Sequence, residues 1–311
     1  MCILIATKDR PTLLEKLLES IADSSLLPGK VVIVYNGVNI GKKINKFKNT
    51  LNIKMIHSDI ASQSIQKFIG IQYLYKKFEW VLFIDDDLIL KPDTLEYLMK
   101  NYIENANLDK FAGFGLNIVN DKQSKHSRVA KTLLFIFSLY SKKPGSITKS
   151  GHAQAYMNQE SDTEVEWLNG ISLWNCKFLN LYTPTKSQLT YSAYEDVCFS
   201  HQVSKHKKLL FVKMAHVYHQ QVITHRKFTF QQFFSGGYHR YYFVTTNNLS
   251  KNWLLFAQVI RSIDFIFQYE NFFDLINRII LAKKLWFILF SLSRRNIHGE
   301  NIWDEKLFIP N

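Results

Sequence analysis

The sequence predicts an α/β protein: a mainly parallel sheet flanked by helices, continued by a C-terminal helical extension. Three observations predict it. Apolar runs of strand length alternate with apolar rows at helical spacing from the N-terminus to about Val119. The residues with most chemistry to offer stand where those runs end. Beyond about residue 226 the chain turns aromatic, basic and helical in pattern.

The first run, residues 2–6, is too short for a signal sequence and passes straight into Thr7-Lys8-Asp9-Arg10-Pro11, so it reads as a strand. Pro11 suits a first helical turn, and Leu13, Leu14, Leu17, Leu18 and Ile21 follow on one face. Further strand-like runs occupy 31–35, 53–57, 80–84 and 111–119. Between them Ile65, Phe68, Ile69 and Tyr73 form a second helical row, and Leu95, Leu98, Met99 and Tyr102 a third. Alternation of this kind implies right-handed crossovers and parallel neighbours. Ligands of such sheets bind beyond the carboxyl ends of the strands. Thr7 to Arg10, Asn36-Gly37 and Asp85 to Asp87 would all lie there.

Residues 120–163 break the rhythm, being rich in Lys, Ser, Gly and Gln around one apolar stretch at 133–140, and read as an insertion or flap. Residues 165–173 resemble a strand in which Gly170 allows a close backbone approach. Tyr194-Glu195-Asp196-Val197 opens a helix reaching Val203, with its acids in the favourable first turn. Two short strands follow at 209–213 and 215–219. From 227 onward Phe228, Phe230, Phe233, Phe234, Tyr238, Tyr241, Tyr242 and Phe243 precede helical patterns at 254–267 and 272–290. Most of these aromatics are expected in a core; others would suit an oligomer contact or a membrane surface. The expected organisation is one domain over 1–225, divided into 1–119, the 120–163 insertion and 164–225, then a helical region over 226–311.

A chain of 311 residues with 47% hydrophobic and 14% aromatic content buries a substantial core and is not disordered. Its three cysteines, Cys2, Cys176 and Cys198, are scattered without CxxC spacing, which indicates neither a disulfide framework nor a zinc cluster and fits a reducing cytoplasm. The longest late apolar run, 285–292, is less than half of a spanning helix, so no transmembrane segment is predicted. A net charge of +13 points to a polyanionic partner: nucleic acid, an anionic membrane face or a phosphorylated substrate. No helix-turn-helix, zinc-finger or RNP signature accompanies it, so no nucleic-acid partner is expected.

The most informative feature is Val81-Leu82-Phe83-Ile84-Asp85-Asp86-Asp87, four strand residues ending in three carboxylates. Carboxylates crowded at a strand end repel one another unless a positive group shares the site, and a hard divalent cation with open positions would also grip a diphosphate. The plainer reading is a solvated acidic turn before Lys91-Pro92-Asp93.

Taken in order, several short segments resemble the family 2 glycosyltransferases of the GT-A fold: Ala6 to Pro11, Asn36-Gly37, Ile84-Asp85-Asp86-Asp87 with Pro92-Asp93, Trp167-Leu168-Asn169-Gly170, Tyr194-Glu195-Asp196-Val197, and Ala215-His216-Val217-Tyr218-His219. Tyr241-Tyr242 with Asn247 resembles a late segment of polysaccharide-assembly members. The resemblance implies a Rossmann-like nucleotide-sugar-binding half over 1–119 and an acceptor half over 164–225. It implies inverting transfer of a sugar from a UDP-, GDP- or dTDP-linked donor to a saccharide or lipid-linked saccharide acceptor. It further implies Mn2+ or Mg2+. Peripheral contact with an anionic membrane, at the inner face of the cell membrane, is expected from the basic, aromatic C-terminal region alone.

Residue by residue, the resemblance puts Asp87 on the metal and Asp85 on the ribose or a metal-bound water. His219 matches a histidine that approaches the metal or the diphosphate. Glu195-Asp196 matches the pair that supplies the catalytic base, with Asp196 favoured. Thr7, Asp9, Arg10, Tyr35, Asn36, Lys67 and Asp86 fall at the nucleotide-sugar side, and Trp167, Asn169 and Gly170 at the acceptor pocket. Two positions depart from the pattern. Tyr35 stands where relatives carry an Asp for the base, and Lys67 replaces an arginine, keeping charge but losing the bidentate fork.

Plainer roles compete at each position. Glu195 and Asp196 suit a helix start, Asp9 a cap, Asn36-Gly37 a tight turn, Trp167 a core, and His219 an ordinary hydrogen bond. Two other functions compete with glycosyl transfer. A sugar nucleotidyltransferase would carry a glycine-rich loop after the first strand, where Thr7 to Pro11 has no glycine. A basic nucleic-acid-binding protein would carry the acidic motifs incidentally.

Overall fold

The computed structural model describes residues 1–105, 109–120, 127–184, 193–220 and 230–295. They divide into two compact units: Met1–Gln123, Ala155–Pro184 and Gln188–Ile223 make the first, and Ser124–Gln154, Thr185–Ser187 and Thr224–Asn311 the second. Part of the 120–163 segment thus groups with the C-terminal residues. Within that segment 121–126, and at the head of the C-terminal region 227–229, lie outside the described residues.

In the first unit, strand β1 (Cys2–Lys8) leads to helix α1 (Pro11–Ala22), whose buried row is Leu14, Leu17, Leu18 and Ile21. Strand β2 (Lys30–Asn36), the short helix α2 (Gly41–Ile44), strand β3 (Ile53–His57), helix α3 (Gln63–Leu74) and strand β4 (Trp80–Asp85) follow. The order β3-β2-β1-β4 is wholly parallel, as the alternation predicts. β1, β2 and β4 are apolar without alternation because both faces are covered.

Beyond β4 the sheet becomes mixed. After β5 (Leu88–Leu90), helix α4 (Thr94–Leu98) and strand β6 (Phe111–Ile118), the chain passes through helix α5 (Arg128–Ile136) of the second unit. It returns as β7 (Thr163–Val165), β8 (Ser172–Asn175), helix α6 (Glu195–Ser204) and β9 (Lys208–His219). β8 runs antiparallel to both β4 and β6, while β6 and β9 are parallel and β5 and β7 antiparallel to β9. The single strand expected over 165–173 is two short strands, with the Trp167 to Gly170 turn between them. The two short strands expected at 209–213 and 215–219 are one long strand, and its register against β6 shifts between Gly115 and Asn117. Such irregularities let a strand keep pairing while it bends.

This pairing decides what reaches the ligand edge. Because β8 is antiparallel to β4, with Phe83 opposite Ser172, the residues just before β8 arrive beside the end of β4. Because β5 pairs with β9 and Leu88 faces His219, the last residue of β9 arrives beside Asp87.

The second unit contains α5 and the helices α7 (Phe230–Thr246), α8 (Lys251–Ile266) and α9 (Phe272–Arg294). Phe233, Phe234, Tyr238 and Tyr241 of α7 pack with Leu254 and Phe265 of α8 and Leu285, Leu289 and Leu292 of α9. Ser250 and Asn271 cap α8 and α9, their side chains accepting the backbone N–H groups of Trp253 and Asp274. Among the described residues no helix is long and apolar enough to cross a membrane.

Candidate active site

The acidic run does not act as one cluster, because its three carboxylates point to three different sets of neighbours. Asp86 is buried: its Oδ2 accepts from the Thr7 hydroxyl at 2.6 Å and its Oδ1 from Arg10 at 3.2 Å. Burial pushes its carboxyl up to about 6 against the pull of Thr7 and Arg10. Thr7, Arg10 and Asp86 thereby lock the end of β1 to the end of β4. Asp87 is more open; its Oδ2 lies 3.4 Å from Arg10 Nη1 and its Oδ1 3.9 Å from His219 Nδ1.

Asp85 turns toward α3. Its Oδ1 accepts from the Gln63 side-chain amide at 2.6 Å. One helical turn on, Lys67 is buried at 2% exposure and donates to Glu195 Oε1 at 2.7 Å. The other Glu195 oxygen accepts from the Tyr182 hydroxyl at 2.7 Å. Burial pulls the Lys67 ammonium down, but Glu195 and Asp85 more than compensate and hold it above its ordinary range. Burial raises the Asp85 carboxyl, Lys67 opposes the rise, and Asp87 and Glu195 add to it. A Cβ on Gly170 would sit 3.4 Å from both Asp85 Oδ2 and Lys67 Nζ, so the turn before β8 closes over the pair. The end of β4 and the start of α6 therefore share one site, with Lys67 between them.

Asp196 is the carboxylate this network leaves least engaged. Its Oδ1 accepts only the N–H of Val197, at 2.8 Å, among the bonds described for it. Burial, then the neighbouring Glu195 charge, raise its carboxyl to about 7, while Lys67 and the Val197 N–H oppose the rise. Tyr194, the residue before Glu195, has a left-handed backbone with φ of 63°. For a bulky L-residue that conformation costs about 1–2 kcal/mol, and it sets the direction in which α6 presents its first two acids.

The remaining expected residues line the same strand ends. Asp9 also has positive φ, 53°, and its Oδ1 accepts from Val38 N at 2.9 Å. It rests on Gly37, whose φ of +84° and lack of a Cβ, which would fall 2.0 Å from that oxygen, both require glycine. Asn36 donates to the Ser58 carbonyl at 2.9 Å, and Tyr35 meets His57 edge to face at 5.2 Å. Trp167 packs edge to face on Tyr156 at 5.1 Å, and the Tyr156 hydroxyl accepts the Asn169 N–H at 2.7 Å. Gln63, Tyr156 and Tyr182 belong to the site without having stood out in the sequence. For Gln63 a signal existed, its four-residue spacing from Lys67 on one helix face.

Metal-binding capacity follows from the donor set. Asp87 and His219 offer one carboxylate and one imidazole side by side, both partly exposed, which fits a hard or borderline dication that takes its other ligands from phosphate oxygens or water. Among the described residues no group of three or more His, Cys, Asp or Glu side chains is gathered for a metal. Asp85 is engaged instead by Gln63.

The family model described as "Glycosyl transferase family 2" matches residues 2–165. The chain belongs to that family and is a glycosyltransferase. Its fold is that of GT-A enzymes. A crystal structure of S. aureus TarS 1–349 superposes with a TM-score of 0.56 at 13% identity, covering 96% of this chain and 82% of that one. The same fragment in complex with UDP-GlcNAc gives 0.51 at 13% identity, covering 95% and 91%. GalNAc-T7 with UDP, GalNAc and Mn2+ gives 0.52 at 13% identity, covering 70% of this chain and 42% of that one. No curated protein matches the chain.

Proposed function

We propose that this glycosyltransferase moves a sugar from a nucleotide diphosphate donor to an acceptor hydroxyl, with inversion at the anomeric carbon and a divalent metal. The observation that carries the reading is Lys67, whose ammonium lies between the strand-end Asp85 and the helix-start Glu195, so that the two acidic motifs serve one reaction centre. The bound UDP-GlcNAc of one structural neighbour and the UDP and Mn2+ of another support a nucleotide sugar and a metal. Family membership favours glycosyl transfer over nucleotidyl transfer or nucleic-acid binding.

In this reading Asp196 is the base and Glu195 is not. Both Glu195 oxygens are occupied by Lys67 and Tyr182, which fix it as a charge that orients and tunes its neighbour. Asp196 takes the proton of the acceptor hydroxyl as its oxygen bonds to the anomeric carbon and the bond to the diphosphate oxygen breaks. Attack opposite the leaving group inverts the centre. Arg10, beside Asp87, and Lys8, exposed at the end of β1, are the cations we assign to the departing negative charge. Asp87 and His219 would hold the Mn2+ or Mg2+, which supplies Lewis-acid stabilisation of that charge when bound. Asp85 would serve the ribose or a metal-bound water; Thr7, Asp9, Tyr35, Asn36 and Asp86 build the nucleotide edge, and Trp167, Asn169 and Gly170 the acceptor edge.

A saccharide or lipid-linked saccharide is the acceptor we favour, which would put the work of the enzyme at the inner face of the cell membrane. A thermal-shift screen of UDP-, GDP- and dTDP-sugars with and without Mn2+ tests the reading, because a ligand selective for the native state raises its melting temperature. A manganese-dependent rise with one nucleotide class is expected. No rise with any of them would refute it.

A further inference from the structure

The charge of the chain is segregated. The sequence of the first unit holds twenty-one Lys and Arg against twenty Asp and Glu; that of the second holds eighteen against six. Nearly all of the +13 surplus therefore belongs to the second unit, which contains none of the residues assigned to the active site.

The same unit exposes apolar side chains in ordered rows. On α8 these are Trp253, Phe256, Val259 and Ile263, with Phe267 just beyond the helix at 75% exposure. On α9 they are Phe272, Phe273 at 78%, Ile276, Ile280 and Phe287 at 69%. With 3.6 residues per turn, Phe256 and Ile263 lie opposite the buried Leu254 and Phe265, and Phe273, Ile280 and Phe287 opposite the buried Leu285 and Leu289. Both helices are thus apolar on two faces, one packed in the core and one bare. A helix meeting only water would be polar on its outer face. Exposed Lys283 and Lys284 stand between Ile280 and Phe287, and exposed Arg294 and Arg295 at the end of the helix.

We propose that the outer faces of α8 and α9 dock the protein on an anionic lipid bilayer, aromatic side chains entering the head-group and acyl boundary while Lys283, Lys284, Arg294 and Arg295 meet lipid phosphates. Charge complementarity selects this occupant. A second copy would bring the same cationic surplus against itself, and a nucleic acid would satisfy the charges but leave Phe256, Phe267, Phe273 and Phe287 in water. Neither helix can span the membrane, so the contact lies in its plane. The inference rests on the second unit alone and stands whether or not the proposed donor chemistry is correct.

Flotation of the full chain with vesicles of phosphatidylcholine, alone or mixed with phosphatidylglycerol, tests it. Binding to the mixed vesicles that weakens in high salt is expected, with little to phosphatidylcholine alone. Lys283→Gln and Lys284→Gln should each weaken partitioning about fivefold, and Phe273→Ser with Phe287→Ser should abolish it, with an unchanged melting temperature and unchanged transfer to a soluble acceptor. Absence of flotation, or equal flotation with both vesicles, would overturn the proposal. So would a phenylalanine variant that floats normally but turns a dimer into a monomer in sedimentation, since a second copy would then be the occupant.

Discussion

The two units put charge to opposite uses. In the first, acids and bases nearly balance and the telling ones are paired: Lys67 with Glu195 out of water, and the half-exposed Arg10 with Asp86 and Asp87. In the second, bases outnumber acids threefold, and several of them sit on the surface beside exposed phenylalanines. The difference teaches that where a charge lies decides what it does. Enclosed by low-dielectric surroundings, a lysine fixes the geometry and protonation of its neighbours. On a wet surface it contributes little to stability and is left for the adhesion proposed above.

Breaking the charged groups of the first unit should have the largest effects. Asp87→Ala should reduce turnover roughly a thousandfold, the several kcal/mol that a Lewis acid contributes, and should abolish the manganese-dependent part of nucleotide binding in a titration calorimeter. Lys67→Ala leaves Glu195 buried without its cation and should destabilise the protein by about 3–5 kcal/mol in denaturant unfolding; a loss within the range of a surface substitution would mean that the pair is not structural.

The raised Asp196 carboxyl gives the next effect. A base works as the carboxylate, and an acid whose pKa is raised to about 7 loses that form as pH falls through that value. Turnover at saturating donor should drop tenfold per pH unit below about 7 and level off above it; a flat profile on the acid side would remove Asp196 from the role. At the other end of the comparison, Lys283→Gln should change unfolding free energy by no more than about 0.5 kcal/mol. A larger cost would show that the second unit, too, depends on its charges for folding.

Much of the first unit is legible in its sequence because its signals are local. Four apolar residues before Asp85, Pro11 at the start of α1, and the alternation through 119 each report on a few neighbouring positions. The mixed half of the sheet is not, because antiparallel entry of β8 and pairing of β5 with β9 join residues far apart in the chain. The same limit applies in the site. Asp85, Asp87 and Glu195-Asp196 stand out by their acidity, yet nothing local says that Asp86 turns inward to Thr7, or that Tyr182 occupies the second oxygen of Glu195. The second of these supports the proposed choice of Asp196 over Glu195 as base, and both exist only once the chain has folded. The aromatic C-terminal region divides in the same way, with Phe233, Phe234 and Tyr241 in the core and Phe256, Phe273 and Phe287 outside it. Composition cannot make that division, though helical phase can.

The claim on which the rest depends is that Asp196 activates the acceptor while the donor is held elsewhere in the site. Asp196→Asn tests it most directly, with UDP and Mn2+ binding measured beside turnover of the donor that the thermal screen identifies. Unchanged nucleotide affinity with turnover lowered by about 10²–10⁴ is the predicted result. Turnover at the native rate, or loss of nucleotide affinity in step with turnover, would contradict it.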